Sequence, residues 1–124
     1  MASVSATTSS NTLDERFAAL RATGRKALVC YVTAGHPDAA RSAELLGGLA
    51  EAGADVIEVG LPYSDPLMDG PVIADAVYHA LRGGVRLKDV FDMVQSIAAR
   101  GTAVLVMTYW NPVDRYGVRV ALPE

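Results

Sequence analysis

Two carboxylate side chains stand close together in the sequence and could perform general acid–base chemistry. Glu58 lies within the apolar run of residues 54–61, and Asp69 follows in a loop rich in proline and aspartate. Residues alternate between the two faces of a strand, so the bulky Ile57 and Val59 lie on the face opposite to Glu58. If the bulky face packs against helices, Glu58 projects into the interior near the carboxyl end of the strand. Burial there should raise its pKa towards neutrality, as a general acid or base requires.

Each carboxylate also has a purely structural interpretation. A buried Glu58 could be held by an arginine or by backbone donors, and the strand alone favours neither interpretation. An aspartate before proline or glycine, such as Asp65 or Asp69, is usually a turn residue. The combination is more informative, because a carboxylate inside the fold and another on the loop above it can converge on one small molecule. Different surroundings, one dry and one partly wet, would separate their pKa values and hence their roles.

The elements that must position these carboxylates alternate between helix and strand. Apolar residues at helical spacing predict four helices, and short apolar runs predict strands at residues 27–32, 54–61 and 103–108. Nearly continuous apolar runs of this length are typical of strands that are buried on both faces of a parallel sheet. The order is helix, then strand–helix–strand–helices–strand, which indicates a parallel α/β fold with right-handed crossovers. Residues 1–11 are mostly small and hydroxylated, and they are predicted to form a flexible tail.

Composition and charge exclude several classes of function. The chain has 124 residues, of which 51% are hydrophobic, and a formal charge of −3, which suits one globular unit without a basic stripe for nucleic acid or anionic membrane. No apolar run approaches the roughly 20 residues of a membrane helix. The chain lacks a secretory signal pattern and has the single cysteine Cys30, so cytoplasmic residence is expected. His36 and His79 are interpreted as isolated residues, so no metal site is predicted.

The segment around the carboxylates resembles the signature of one enzyme family. Residues 55–71, with the sequence DVIEVGLPYSDPLMDGP, are similar to the signature segment of the tryptophan synthase α subunit. Further segments match that family in the same order: residues 31–35, 37–38, 80–85 and 107–112. The resemblance implies a parallel (β/α)8 TIM barrel, of which only the first three β/α units are present. Residues 12–124 would form this N-terminal part of the barrel domain.

The resemblance also implies a reaction and a set of site residues. The family cleaves indole-3-glycerol phosphate to indole and glyceraldehyde 3-phosphate in tryptophan biosynthesis, a retro-aldol reaction that uses no metal or organic cofactor. Carried over by position, Glu58 is the acid/base that protonates indole C3. Asp69 hydrogen-bonds the indole N–H and stabilises the positive charge that develops on the ring. Tyr31, Met107 and Tyr109 match positions that line the indole pocket, although ordinary core packing is an equal explanation for Tyr31 and Met107.

A partner is implied as well. In the family, indole passes to a PLP-dependent β subunit within an α2β2 heterotetramer, and the PLP belongs to that β subunit. The loop around Ser64, Asp65 and Pro66 matches the family's contact with the β subunit. Two alternatives stay open: a catalytically silent protein that docks on a β subunit, and another phosphate-sugar barrel enzyme on the same scaffold. The spacing of Glu58 and Asp69 argues against the second alternative.

A closed barrel needs more strands than this sequence predicts. Barrels of this type have eight strands and about 250 residues, and their phosphate sites commonly use the loops after strands seven and eight. Truncation is therefore the expected explanation for the end of the chain. Three strands would leave two unpaired edges and an uncovered apolar inner face. We expect the chain alone to be poorly soluble, oligomeric or partly unfolded, and to have little lyase activity.

Overall fold

The structure is a computed structural model that describes residues 12–65 and 67–117. Within these ranges the elements follow one another as α1 (Thr12–Ala22), β1 (Val29–Thr33), α2 (Ala39–Glu51), β2 (Val56–Gly60), α3 (Pro71–Arg82), α4 (Leu87–Ala98), β3 (Ala103–Met107) and α5 (Trp110–Tyr116). The predicted helices and strands are confirmed, whereas the short helix α5 was not predicted. The predicted flexible tail at residues 1–11 lies outside the described residues.

The three strands form one parallel sheet in the order β1-β2-β3. Glu58 in the central strand pairs with Tyr31 of β1 on one side and with Leu105 of β3 on the other. In a parallel sheet all strands point the same way, so the loops that follow β1, β2 and β3 emerge at one edge. The predicted parallel α/β class is therefore confirmed, and this edge is where the carboxylates were expected to meet.

Helices α2 and α4 cover the outer face of the sheet. Ile57 and Val59 have no exposed surface and belong to one apolar cluster with Leu46 of α2 and with Val90 and Ile97 of α4. Full burial of a side chain of this size stabilises the folded state by about 1.5–3 kcal/mol. The bulky face of β2 therefore packs against helices, as predicted, and Glu58 lies on the opposite, inner face.

The inner face is only partly enclosed, as expected for three strands alone. The central strand β2 is largely buried on both faces, but Val29 of β1 is 46% exposed, and Leu105 and Met107 of β3 are 41% and 37% exposed. The prediction that β1 is buried on both faces is wrong at Val29, because Val29 lies on the inner face, which the three described strands leave partly open. Exposed apolar side chains on this face agree with the expected self-association, which stays a prediction.

The amino end of the sheet is fixed by an ion pair between α1 and the start of β2. Asp55 is 3% exposed, accepts a hydrogen bond from the Leu28 backbone N–H at 2.8 Å, and is paired with Arg16 of α1. The hydrogen bond from Leu28, followed by that from Arg16, holds the pKa of Asp55 below its usual range. This contact lies at the edge opposite to the loops, so it stabilises the scaffold without entering the site.

Candidate functional site

A cleft of about 240 Å³ lies at the carboxyl edge of the sheet. It brings together residues from β1, β3, α3 and the segments after β2 and β3: Tyr31, Leu61, Met68, Asp69, Val77, Met107, Thr108 and Tyr109. Four of the residues predicted from the sequence share this cleft, namely Tyr31, Asp69, Met107 and Tyr109. A mainly apolar lining with one carboxylate suits a small, largely apolar ligand that carries a polar group.

Glu58 stands beside the cleft rather than in its lining. Its side chain is half-buried on the inner face of β2, level with Tyr31 of the neighbouring strand. The pKa of Tyr31 is raised above its usual value, chiefly because burial disfavours the charged phenolate, and further because the charges of Asp69 and Glu58 repel it. Both carboxylates therefore lie within electrostatic reach of one hydroxyl group. The dry setting expected for Glu58 is only partly present, and the catalytic roles stay predictions.

The hydroxyl of Tyr31 occupies space that only a glycine leaves open. A Cβ atom on Gly60 would collide with the Tyr31 hydroxyl, so the absence of a side chain at Gly60 lets the Tyr31 ring lie against β2. The hydroxyl is also 3.3 Å from the Thr33 hydroxyl, which fixes its position further. The sequence alone did not predict this arrangement. The one feature that pointed to it was Gly60, which lies two residues after Glu58 on the same face of the strand.

Three residues, here called the loop anchor, tie the segment that precedes Asp69 to the end of β3. They are Tyr63, Tyr109 and Asn111. The Tyr109 hydroxyl accepts a hydrogen bond from the Met68 backbone N–H at 2.8 Å, and the Asn111 side-chain amide donates to the Tyr63 hydroxyl at 3.0 Å. The rings of Tyr63 and Tyr109 lie 5.1 Å apart. Sequence analysis assigned Tyr109 to ligand contact and did not identify the other two residues.

The residues predicted to contact a partner lie on the surface where the structure describes them. Ser64 and Asp65 are exposed, and the Ser64 hydroxyl donates to the Asp65 carboxylate at 3.3 Å. Pro66 lies outside the described residues. Leu67 and Met68 follow directly, and both are 86% exposed. The Asp65 side of the loop is therefore accessible, whereas Asp69 lines the cleft, and the different roles of the two aspartates stay predictions.

The two histidines are closer together than the sequence suggested. The rings of His36 and His79 lie 6.1 Å apart, because the loop after β1 approaches α3. The description of these residues as isolated is therefore wrong. Among residues 12–65 and 67–117, no group of three or more potential metal-binding side chains is found. No helix in the same ranges is both long and apolar enough to span a bilayer.

A parallel sheet with a cleft at the carboxyl ends of its strands is typical of α/β enzymes, among them the β/α barrels, which place their active sites there. Sequence comparison specifies the family. The family model described as tryptophan synthase alpha chain matches residues 17–122, and the chain therefore belongs to this family. The tryptophan synthase alpha chain of Nocardia farcinica is 53% identical over 106 residues, which cover 86% of this chain and 40% of the relative.

Solved structures agree with this assignment. A crystal structure of tryptophan synthase from M. tuberculosis superimposes with a TM-score of 0.84 at 50% identity, covering 89% of this chain and 44% of that chain. The tryptophan synthase subunit alpha from Legionella pneumophila gives 0.84 at 37% identity, covering 90% and 43%. The chain spans about 40% of the length of the curated relatives that it matches. The match confirms that the three strands and their helices are the first β/α units of a TIM barrel.

Proposed function

We propose that this chain provides the acid–base part of a lyase site that cleaves indole-3-glycerol phosphate to indole and glyceraldehyde 3-phosphate. One observation carries the proposal: Asp69 and Tyr31 line a single apolar cleft, and Glu58 stands level with Tyr31 on the same face of the sheet. Membership of the tryptophan synthase alpha chain family supports it. The resulting activity belongs to the carbon–carbon lyases.

The reaction requires a proton donor at one end of the indole ring and an anion at the other. Glu58 gives a proton to indole C3, which leaves positive charge on the ring nitrogen. The Asp69 carboxylate accepts a hydrogen bond from the indole N–H and stabilises that charge. The hydroxyl on the adjoining side-chain carbon then loses its proton to the ionised Glu58. The bond from C3 to that carbon breaks, its electron pair restores the aromatic ring, and the carbon leaves as the aldehyde.

The two carboxylates need different surroundings for these roles. Glu58 must bind and release a proton next to the substrate, and it stands half-buried on the inner face of β2. Asp69 must stay charged, and its position on the loop at the edge of the cleft keeps it near water. Tyr31 and Met107 supply apolar surface for the indole ring between them.

The proposal extends to a partner and a location. The exposed Ser64 and Asp65, with the adjacent Pro66, are proposed to contact a tryptophan synthase β subunit in an α2β2 heterotetramer. The alpha chain needs no cofactor for the reaction above, since the PLP belongs to the β subunit. A catalytically silent docking protein is less well supported, because docking alone does not require Glu58 and Asp69 at their family positions. Residence in the cytoplasm is proposed with the biosynthetic role.

Indole release from indole-3-glycerol phosphate tests the proposal. It is measured on the full chain and on a hybrid in which residues 12–117 replace the matching segment of the Nocardia farcinica relative. Glu58→Gln and Asp69→Asn should each lower kcat of the hybrid at least about 100-fold, the range expected for general acid–base catalysis. Glu44→Gln removes an exposed carboxylate of α2 and should leave kcat unchanged. A fully active Glu58→Gln or Asp69→Asn hybrid would remove that residue from the mechanism.

A further inference from the structure

We propose that Tyr109 is a positioning residue that sets the location of the Asp69 carboxylate through the loop anchor. This inference rests on the proposed function, because it concerns how Asp69 is placed for its role. It changes the assignment from sequence, in which Tyr109 was a residue that contacts the substrate. The ring of Tyr109 still forms part of the cleft wall, but its hydroxyl is committed to the protein.

The positioning role of Tyr109 is supported first by the hydrogen bond from the Met68 N–H to the Tyr109 hydroxyl. Its length of 2.8 Å lies within the normal range for an N–H···O hydrogen bond, and it fixes the backbone immediately before Asp69. A side chain is placed by the backbone that carries it. Movement of the Met68 peptide therefore moves the Asp69 carboxylate relative to the cleft, whereas movement of the exposed Met68 side chain does not.

Among the residues of this loop that the structure describes, few side chains are packed so as to hold the backbone in place. Leu67 and Met68 are both 86% exposed, so their side chains contribute little burial to offset the entropy of ordering the loop. Gly70 is the N-cap of α3 and offers no side-chain capping bond. The hydrogen bond to the Tyr109 hydroxyl therefore contributes more to holding this backbone than a single hydrogen bond would contribute in a loop with buried side chains.

The rest of the loop anchor fixes Tyr109 itself. Its ring lies 5.1 Å from the ring of Tyr63, whose hydroxyl accepts a hydrogen bond from Asn111 at 3.0 Å. Tyr109 and Asn111 lie at the start of α5, directly after β3. The anchor therefore joins the Asp69 loop, at two points on either side of Asp65, to the segment that follows β3. The position of Asp69 thus depends on this segment as well as on β2.

Hydrogen exchange of the Met68 amide in the full chain tests the contact. Tyr109→Phe keeps the ring and removes only the hydroxyl, so the Met68 amide should exchange about three- to tenfold faster, as loss of one neutral hydrogen bond predicts. Tyr78→Phe is the matched control, because the Tyr78 hydroxyl accepts a bond from Arg82 on the exposed surface of α3. Unchanged exchange in Tyr109→Phe overturns the proposal. Tyr63→Phe should give a smaller acceleration than Tyr109→Phe.

Discrimination between indole and 1-methylindole tests the consequence for Asp69. Only indole has the N–H that Asp69 is proposed to recognise, so the full chain should bind indole more tightly, by about fivefold, in a titration followed by NMR. Tyr109→Phe should reduce this preference towards the value in Asp69→Asn, and Tyr109→Phe in the Asp69→Asn background should change it no further. Tyr78→Phe should retain the preference. An intact preference in Tyr109→Phe contradicts the positioning role.

The two measurements separate failure of this inference from failure of the proposed function. If the unmodified chain does not prefer indole, the proposed role of Asp69 fails. Hydrogen exchange at Met68 still decides whether Tyr109 holds the loop. If the unmodified chain prefers indole and Asp69→Asn removes the preference, the proposed role stands, and the result for Tyr109→Phe then decides the inference alone.

Discussion

The outer and inner faces of the sheet are made by the same three strands but enclose their side chains to different degrees. On the outer face, Ile57 and Val59 are sealed beneath α2 and α4. On the inner face, Leu105 and Met107 stay partly exposed, and Glu58 is half-buried beside the cleft. Stability and chemistry are therefore divided between the two faces of the sheet. Packing on one face holds the strands in register, and the open face presents side chains to a ligand.

Shortening an outer-face side chain should have the largest effect on stability. Ile57→Ala leaves a cavity in the core cluster and should lower the free energy of unfolding by about 2–5 kcal/mol. Leu105→Ala on the inner face should cost less than about 1 kcal/mol, because Leu105 is already 41% exposed. Urea unfolding of both variants measures the contrast. Equal losses would mean that the inner face is as fully packed as the outer face.

Filling the space above Gly60 tests the close contact on the inner face. Gly60→Ala forces the Tyr31 ring away from β2 and should lower the free energy of unfolding by about 1–3 kcal/mol, the usual cost of overpacking. Tyr31→Ala in the same background should recover part of that loss. Gly48→Ala is the control, because a Cβ at Gly48 of α2 meets no atom within 4 Å and alanine favours helix there. A harmless Gly60→Ala substitution would show that the Tyr31 ring does not occupy this space.

Acid should weaken the amino end of the sheet before the packed outer face. The pKa of Asp55 is lowered in the folded state, so its stabilising contribution is present above the unfolded value of about 3.9 and is lost as pH falls through the folded value. The free energy of unfolding is measured between about pH 6 and about pH 3, a range that brackets the unfolded pKa. It should fall less steeply with decreasing pH in Asp55→Asn than in the parent chain. Asp92→Asn removes an exposed ion pair with Lys88 and should retain the parent slope. Parallel curves for parent and Asp55→Asn would contradict this assignment.

Sequence patterns were sufficient for the elements of the fold but not for the contacts that shape the site. The alternation around Glu58 and the apolar spacing of the helices are local properties, so they predicted the parallel sheet and the face that packs against helices. The loop anchor joins Tyr63 to Asn111, and Tyr31 meets Gly60 across two strands. Such contacts depend on strand register and loop path, which no local pattern encodes.

The open inner face was expected from the number of strands, but the burial of β1 on both faces was predicted wrongly. An apolar run predicts that a strand can be buried, but the neighbours of that strand decide whether it is. Val32 of β1 packs in the core cluster, whereas Val29 on the other face remains exposed. The helix α5 was missed because its seven residues, which include Pro112, are too few to show an apolar repeat. The proximity of His36 and His79 likewise arises only from the packing of a loop against α3.

The central claim is that Glu58 and Asp69 act on one shared space beside Tyr31, and titration of the Tyr31 hydroxyl tests it most directly. A nearby negative charge disfavours the phenolate and raises the pKa of Tyr31, so removing either charge should lower that pKa. NMR of the Tyr31 ring carbon that bears the hydroxyl should show a lower pKa in both Glu58→Gln and Asp69→Asn. Asp65→Asn should leave it in place. A Tyr31 pKa that neither substitution changes would show that the two carboxylates do not share this site.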